Sequence, residues 1–233
     1  MNHLPALQVV IPLIAAPLCA LMVRPNIAWW FAMAVTWVTF GISSALLHQV
    51  LDGGAISYHM GGWRPPLGIS YEIDPLNALL LVLVSGMAVI VMPAAKLGIG
   101  VEVTQRAQRL FYTVALLALT GMLGIVITGD TFNLYVFLEI SSLSSYALVA
   151  MGTHRRASKA AFNYLILGTI GATFILIGIG LIYMMTGTLN MADLAIRLRN
   201  AHDTAPVQAA LAFIVVGAGI KAAMFPAHIW MPN

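Results

Sequence analysis

Residues 131–151 read TFNLYVFLEISSLSSYALVAM, and one carboxylate, Glu139, stands in the middle of an otherwise uncharged run. A membrane-spanning helix needs about 20 mostly apolar residues, so this stretch is long enough to cross a bilayer. Glu139 then lies roughly 13 Å deep at 1.5 Å per residue. A charge at the bilayer centre costs about 2.5–3.5 kcal/mol on insertion scales, so its presence needs a reason. Its neighbours supply one. Tyr135, Glu139, Ser142 and Tyr146 are spaced i, i+4, i+7 and i+11, which places them on one helical face. Ser141, Ser144 and Ser145 broaden that stripe. Such a face is suited to water and hydrogen bonds rather than to lipid.

The rest of the chain has the same character. Of 233 residues, 61% are hydrophobic and 8% charged, too few charges to cover a water-facing surface. Mean hydropathy is +0.92. These values exclude a soluble globular protein and point to one membrane-embedded, all-α body. A formal charge of +3 is too sparse for a nucleic-acid patch. A lone cysteine, Cys19, excludes an intrachain disulfide. The N-terminus has no positive stretch ahead of its first apolar run, so that run is expected to stay as a helix rather than be cleaved.

Seven stretches meet the length requirement: Leu4–Val23, Ile27–Val50, Pro75–Ala95, Gln108–Thr128, Thr131–Met151, Ala160–Thr186 and Pro206–Ile229. Asp74-Pro75 and Gly129-Asp130 give start signals for spans three and five, with Asp130 read as a plain N-cap. The segments after spans one, three and five hold Arg24; Lys96, Arg106 and Arg109; and Arg155, Arg156 and Lys159. The opposite side holds only Arg64, Arg197 and Arg199. The positive-inside bias therefore puts the N-terminus outside. Loop 52–74 is rich in Gly, Pro and aromatics, and alternation at Ile69, Tyr71 and Ile73 predicts a small β-hairpin at the outer surface.

Span seven carries a second intramembrane charge, Lys221, followed by Pro226. A proline removes a backbone donor and clashes with the preceding turn, so the helix is expected to break just after Lys221. Broken helices near the midplane are where transporters place ion sites. His228 follows the break and can titrate near neutral pH. The plainer alternatives are a Glu139–Lys221 pair that only fixes helix packing, and a His228 that only packs. His3, His48, His59 and His202 read as surface residues, and the small residues of span six (Gly168, Gly171, Ala172, Gly178, Gly180) as close helix packing. Asn163, Thr169 and Thr173 offer polar groups on that span, although threonines often bond their own backbone. No metal-ligand cluster, nucleophile triad or phosphate-binding glycine loop is present in the sequence, so no metal, no cofactor and no enzyme activity of its own are expected.

The segment Gly129-Asp-Thr-Phe-Asn-Leu-Tyr-Val-Phe-Leu-Glu139, with Ser145-Tyr-Ala-Leu148, resembles the fifth helix of the Mrp-type Na+(K+)/H+ antiporters. Gly219-Ile-Lys221 through Pro226-Ala-His228-Ile-Trp230-Met-Pro232 is similar to that family's broken seventh helix. Gly61-Gly-Trp63, Pro66, Gly68-Ile69 and Asp74-Pro-Leu76 are similar to its outer hairpin and third-helix start. The same fold and Glu–Lys pair occur in antiporter-like subunits of respiratory complex I and membrane-bound hydrogenases; the wording around Glu139 favours the Mrp branch.

The resemblance implies that Glu139 and Lys221 are the ion-translocating pair, with His228 passing protons near the break. At an effective dielectric of about 20 and a spacing of about 4 Å such a pair interacts by roughly 4 kcal/mol. Opening it loosens the lysine's hold on its proton, and closing it restores that hold. The resemblance further implies a multi-pass subunit of the bacterial cytoplasmic (inner) membrane, surrounded by lipid and by other membrane subunits, moving H+ and monovalent cations. Residues 1–107 would form helices one to three with the hairpin 52–74, and 108–233 an incomplete antiporter-like repeat. Family members have about fourteen helices with inverted repeats, so a sequence ending at Asn233 is expected to be a fragment or a half-size product. Seven helices with a lysine in the last also fit a retinal-type pump. That reading requires a carboxylate inside span three, whose only acid is Asp74 at its outer edge.

Overall fold

The computed structural model describes residues 3–200, 204–226 and 228. It contains α1 (Leu4–Ala20), α2 (Pro25–Gly53), α3 (Pro75–Glu102), α4 (Gln105–Ile127), α5 (Thr131–Ala150), α6 (Ala157–Thr186), α7 (Met191–Arg197) and α8 (Ala205–Lys221), with a two-stranded sheet of β1 (Ile56–His59) and β2 (Ser70–Ile73). The helices α2 to α6 are each long and apolar enough to cross a membrane. Helices α1 and α8, at 17 residues each, are apolar and lie at the short end of the spanning range. The chain is a multi-pass integral membrane protein, all-α apart from the expected hairpin.

Local chemistry sets the helix ends. Asp74 accepts a hydrogen bond from the Asn77 N–H at 2.7 Å and Asp130 from the Asn133 N–H at 2.8 Å, each satisfying a donor that the first turn leaves free. Thus Asp130 is the N-cap of α5, as its position ahead of span five implies. Burial raises its carboxyl above the ordinary range, opposed by the N–H groups of Asn133 and Phe132. Helix α6 ends on Gly187 at φ 66°, a left-handed cap that glycine adopts without strain.

Three boundaries differ from the sequence reading. Helix α3 continues past Ala95 to Glu102, so Lys96 sits on a helix rather than in a loop, its ammonium 4.1 Å above the Trp29 ring. The loop before the last span holds a short helix, α7, capped by Asn190, which accepts from the Asp193 N–H at 3.1 Å. The seventh span is α8, and it stops at Lys221 instead of reaching Ile229. The Ala223 N–H donates to the Ile220 carbonyl at 3.2 Å and the Met224 N–H to the Gly219 carbonyl at 2.9 Å, a Schellman cap with Ala223 at φ 52°. Pro226 cannot donate to the Ala222 carbonyl, so the helix has no continuation there. Ala227, Ile229, Trp230, Met231, Pro232 and His202 lie outside the described residues.

The hairpin pairs antiparallel with Tyr58 opposite Tyr71 and His59 opposite Ser70. It is half of a wider seam. The Gly129 N–H donates to the Ser70 carbonyl, the Met191 N–H to the Gly129 carbonyl and the Thr131 N–H to the Leu189 carbonyl, all at 2.9 Å. Tyr71 and Ile73 are buried under this seam with Leu46, Leu81, Leu123 and Ile127. Water is excluded there, and unpaired backbone groups would be costly, so the three turns satisfy one another. The seam fixes the heads of α5 and α7 against the hairpin.

Candidate functional site

The polar stripe of α5 faces the end of α8. Lys221, the last residue of α8, donates from Nζ to Glu139 Oε1 at 3.0 Å and to Ser142 Oγ at 2.8 Å. The side chains are 14% and 20% exposed for Lys221 and Glu139, buried enough to strengthen the attraction and open enough for a proton to enter or leave. The ammonium also lies at the negative end of the α8 dipole, where the last carbonyls favour a cation.

The residues two before and two after Glu139 explain its direction. Phe137 and Ser141 lie about 160–200° around the helix from it. A Cβ at Gly121 of α4 would stand 2.5 Å from the Ser141 nitrogen, and one at Gly124 would run into the Phe137 ring. Glycine notches on α4 thus seat the back of α5 and turn Glu139 away, toward α8.

The stripe is narrower than the sequence suggests. The hydroxyls of Ser144 and Ser145 donate to the carbonyls of Ile140 and Ser141, one turn back on their own helix. Tyr135 lies half-buried one turn before Glu139, its ring 6.2 Å from Phe132. Tyr146 is buried, with its ring edge-on to Tyr164 at 4.4 Å. His228 is exposed and stacks on Phe225 at 5.8 Å; among the described residues it shares no hydrogen bond with the pair. On α6, Thr169 and Thr173 bond their own helix, at the Leu165 and Thr169 carbonyls. Gly180 is exposed with open space around it, unlike the other glycines of that helix read as packing residues. The histidines at the hairpin end are less uniform than a surface reading implies. His3 bonds Tyr58 at 2.9 Å, His48 pairs with Asp52 at 2.6 Å, and His59 is half-buried with its Nδ1 enclosed. No group of three or more His, Cys, Asp or Glu that could hold a metal ion occurs among the described residues.

Sequence reasoning did not reach Asn190. Its amide donates to Ser70 Oγ at 3.1 Å and its carbonyl oxygen caps α7, which joins the hairpin to the segment leading into α8. The signal was present as an Asn three residues before an Asp, a capping pattern. The contact with Ser70, 120 residues away, has no local signal.

Residues 128–233 match the family model for NADH:quinone oxidoreductase/Mrp antiporter, TM. The chain is 47% identical to NADH-quinone oxidoreductase subunit N of Desulforudis audaxviator, an alignment covering 99% of this chain and 46% of that one. It superimposes on a chain of the archaeal membrane-bound sulfane sulfur reductase with a TM-score of 0.90 at 35% identity, covering 98% of this chain and 47% of that one. A chain of the Mrp complex from Dietzia sp. DQ12-45-1b matches with a TM-score of 0.84 at 29% identity, covering 99% and 43%. The chain thus spans just under half the length of each of these proteins.

Proposed function

We propose that the chain is part of a proton-translocating, antiporter-like subunit of a multisubunit membrane complex, and that Glu139 and Lys221 are its proton-transfer pair. The observation that carries this is the 3.0 Å ion pair between two helices, with the lysine on the last residue before a helix break. In the closed state Glu139, Ser142 and the carbonyl end of α8 hold the ammonium. When Lys221 and Glu139 separate, the attraction falls with distance and the lysine releases H+ to become a neutral amine. Reclosing favours recapture of a proton. Ser142 keeps one hydrogen bond on the lysine and orients it; Tyr135 and Tyr146 line the same face. His228 takes or delivers protons beyond the break.

The setting we assign is a bacterial cytoplasmic membrane, with the N-terminus outside. That orientation follows the excess of Lys and Arg at the ends of α1, α3 and α5. We read residues 108–233 as belonging to an antiporter-like repeat preceded by three helices. The partners are other membrane subunits, and the cargo is H+ exchanged for a monovalent cation, as in the Mrp-type antiporters. A second reading is a redox-driven pump subunit of the NADH:quinone oxidoreductase type, supported by the 47% identity to a subunit N.

The test is dye-monitored ΔpH in inverted vesicles holding the assembled complex. The expected result is loss of proton movement in Glu139→Gln and in Lys221→Ala. Full activity in either overturns the assignment. Driving the vesicles with a sodium gradient or with NADH separates the two readings.

A further inference from the structure

The distance between Glu139 and Lys221 is governed by a helix that carries neither. Helix α8 packs along α6, and α6 packs along α5. Within α8, positions 210, 214, 217 and 221 are spaced i, i+4, i+7 and i+11 and share a face. Ala210 and Ile214 meet Gly178 of α6, and Gly217 meets Gly171. The face that beds α8 on α6 is therefore the face that ends in Lys221.

Glycines stand where these backbones meet. A Cβ on Gly217 would lie 2.5 Å from the Gly171 carbonyl oxygen and 3.0 Å from the Ile175 nitrogen. A Cβ on Gly171 would lie 3.1 Å from the Gly217 carbonyl oxygen. On the other flank of α6, a Cβ on Gly168 would run into the Tyr146 hydroxyl and lie 2.7 Å from its Cζ. Backbone atoms cannot swing aside as a flexible side chain can, so an added methyl at Gly217 must part the helices, and one at Gly171 presses them by a few tenths of an ångström. Gly180, on α6 too, has nothing within 4 Å.

We propose that Gly168, Gly171 and Gly217 are positioning residues that set the Glu139–Lys221 separation by admitting the Tyr146 ring of α5 and the backbone of α8 against α6. This rests on the reading of Glu139 and Lys221 as the proton-transfer pair. A methyl at Gly217 moves α8 outward one turn before Lys221 and takes the ammonium away from Glu139. Both charges remain, but the closed state is weakened. A lysine with a more distant partner holds its proton less firmly, so transport requires more acid conditions.

The experiment compares Gly217→Ala, Gly171→Ala, Gly180→Ala and Glu139→Gln in assembled complexes in inverted vesicles, scoring the ΔpH rate per assembled complex across pH. Gly217→Ala and Gly171→Ala are expected to slow transport about ten-fold or more and to move the pH profile to the acid side, while Gly180→Ala matches wild type. Gly168→Ala is expected to show the same acid shift, because its added methyl runs into the Tyr146 ring of α5. Gly168→Ala decides the matter if the first two variants fail to assemble, and a wild-type rate and profile in it then overturns the proposal. Wild-type rate and profile in Gly217→Ala and Gly171→Ala, with Glu139→Gln inactive, overturn the positioning role alone. A rate that falls only with the amount of assembled complex, at an unchanged profile, also overturns it. Full activity of Glu139→Gln removes the reading of the pair, and this proposal with it.

Discussion

Two of the polar clusters among the described residues of this apolar bundle are made of opposite materials. Between α1, α2 and α3, Gln8 donates from Nε2 to Ser43 Oγ at 2.7 Å, and Ser85 lies 2.9 Å from the same hydroxyl and 2.7 Å from the Leu81 carbonyl. Gln8, Ser43 and Ser85 are each 0% exposed. Between α5 and α8 the groups are charged, and 14–20% of each side chain remains open. A neutral, sealed cluster has one arrangement and no proton to give at accessible cost, so it acts as glue between helices. A charged and partly open pair can be broken and remade, because water can stabilise the separated ions. Burial and charge together, rather than polarity alone, distinguish the proposed site.

The largest effect that separates the two clusters comes from removing one member of the charged pair. Lys221→Met should destabilise the folded complex, since breaking a buried pair costs about 3–5 kcal/mol at full burial and less at this exposure. The double variant Glu139→Gln/Lys221→Met should regain assembly, measured as the melting temperature in detergent, yet move no protons. A single variant as stable as wild type would erase the energetic contrast. Next in size is Ser43→Ala, which removes the hydroxyl shared by Gln8 and Ser85. Polar contacts between membrane helices contribute about 0.6–1.7 kcal/mol, so a loss of about 1 kcal/mol is expected, with the transport rate per complex unchanged. Slower transport at full assembly would mean that the neutral cluster is more than glue.

The smallest effect lies on the outer surface. Arg197, bonded to Asp193 at 3.0 Å, holds that carboxyl below its usual range. A depressed value means that the stabilisation is present above the ordinary carboxylate range, near pH 4, and is lost as pH falls through the depressed value. Asp193→Asn should therefore lower stability slightly at neutral pH and flatten the acid-side loss in a melting curve measured against pH.

The fold was largely legible because hydropathy in a membrane chain is close to a direct readout of span positions. The charged site was legible for the same reason: Glu139 and Lys221 stand out against runs in which nothing else is charged. Boundaries governed by capping were less so. Lys96 reads as the start of a loop, yet α3 carries it within the helix, where its ammonium meets Trp29. Pro226 foretold the break, but the stop at Lys221 is set by backbone hydrogen bonds around Ala223, and an alanine in left-handed conformation has no sequence signature. Glycines in α6 announced close packing without naming the partner. Only the assembled helices tell Gly171, pressed on Gly217, from Gly180 in open space. Long-range pairings such as Asn190 with Ser70 are decided by tertiary placement and leave no local pattern.

The proton proposed to move is the one on Lys221, and Lys221→Arg is the sharpest probe of that role. An arginine keeps the positive charge and can keep the ion pair with Glu139, but its guanidinium does not give up a proton in a protein. The measurement is dye-monitored ΔpH in inverted vesicles with equal amounts of assembled complex. The expected result is normal assembly with loss of proton movement. Wild-type proton movement in Lys221→Arg would contradict the claim, because the pair would then be structural and the proton carried elsewhere.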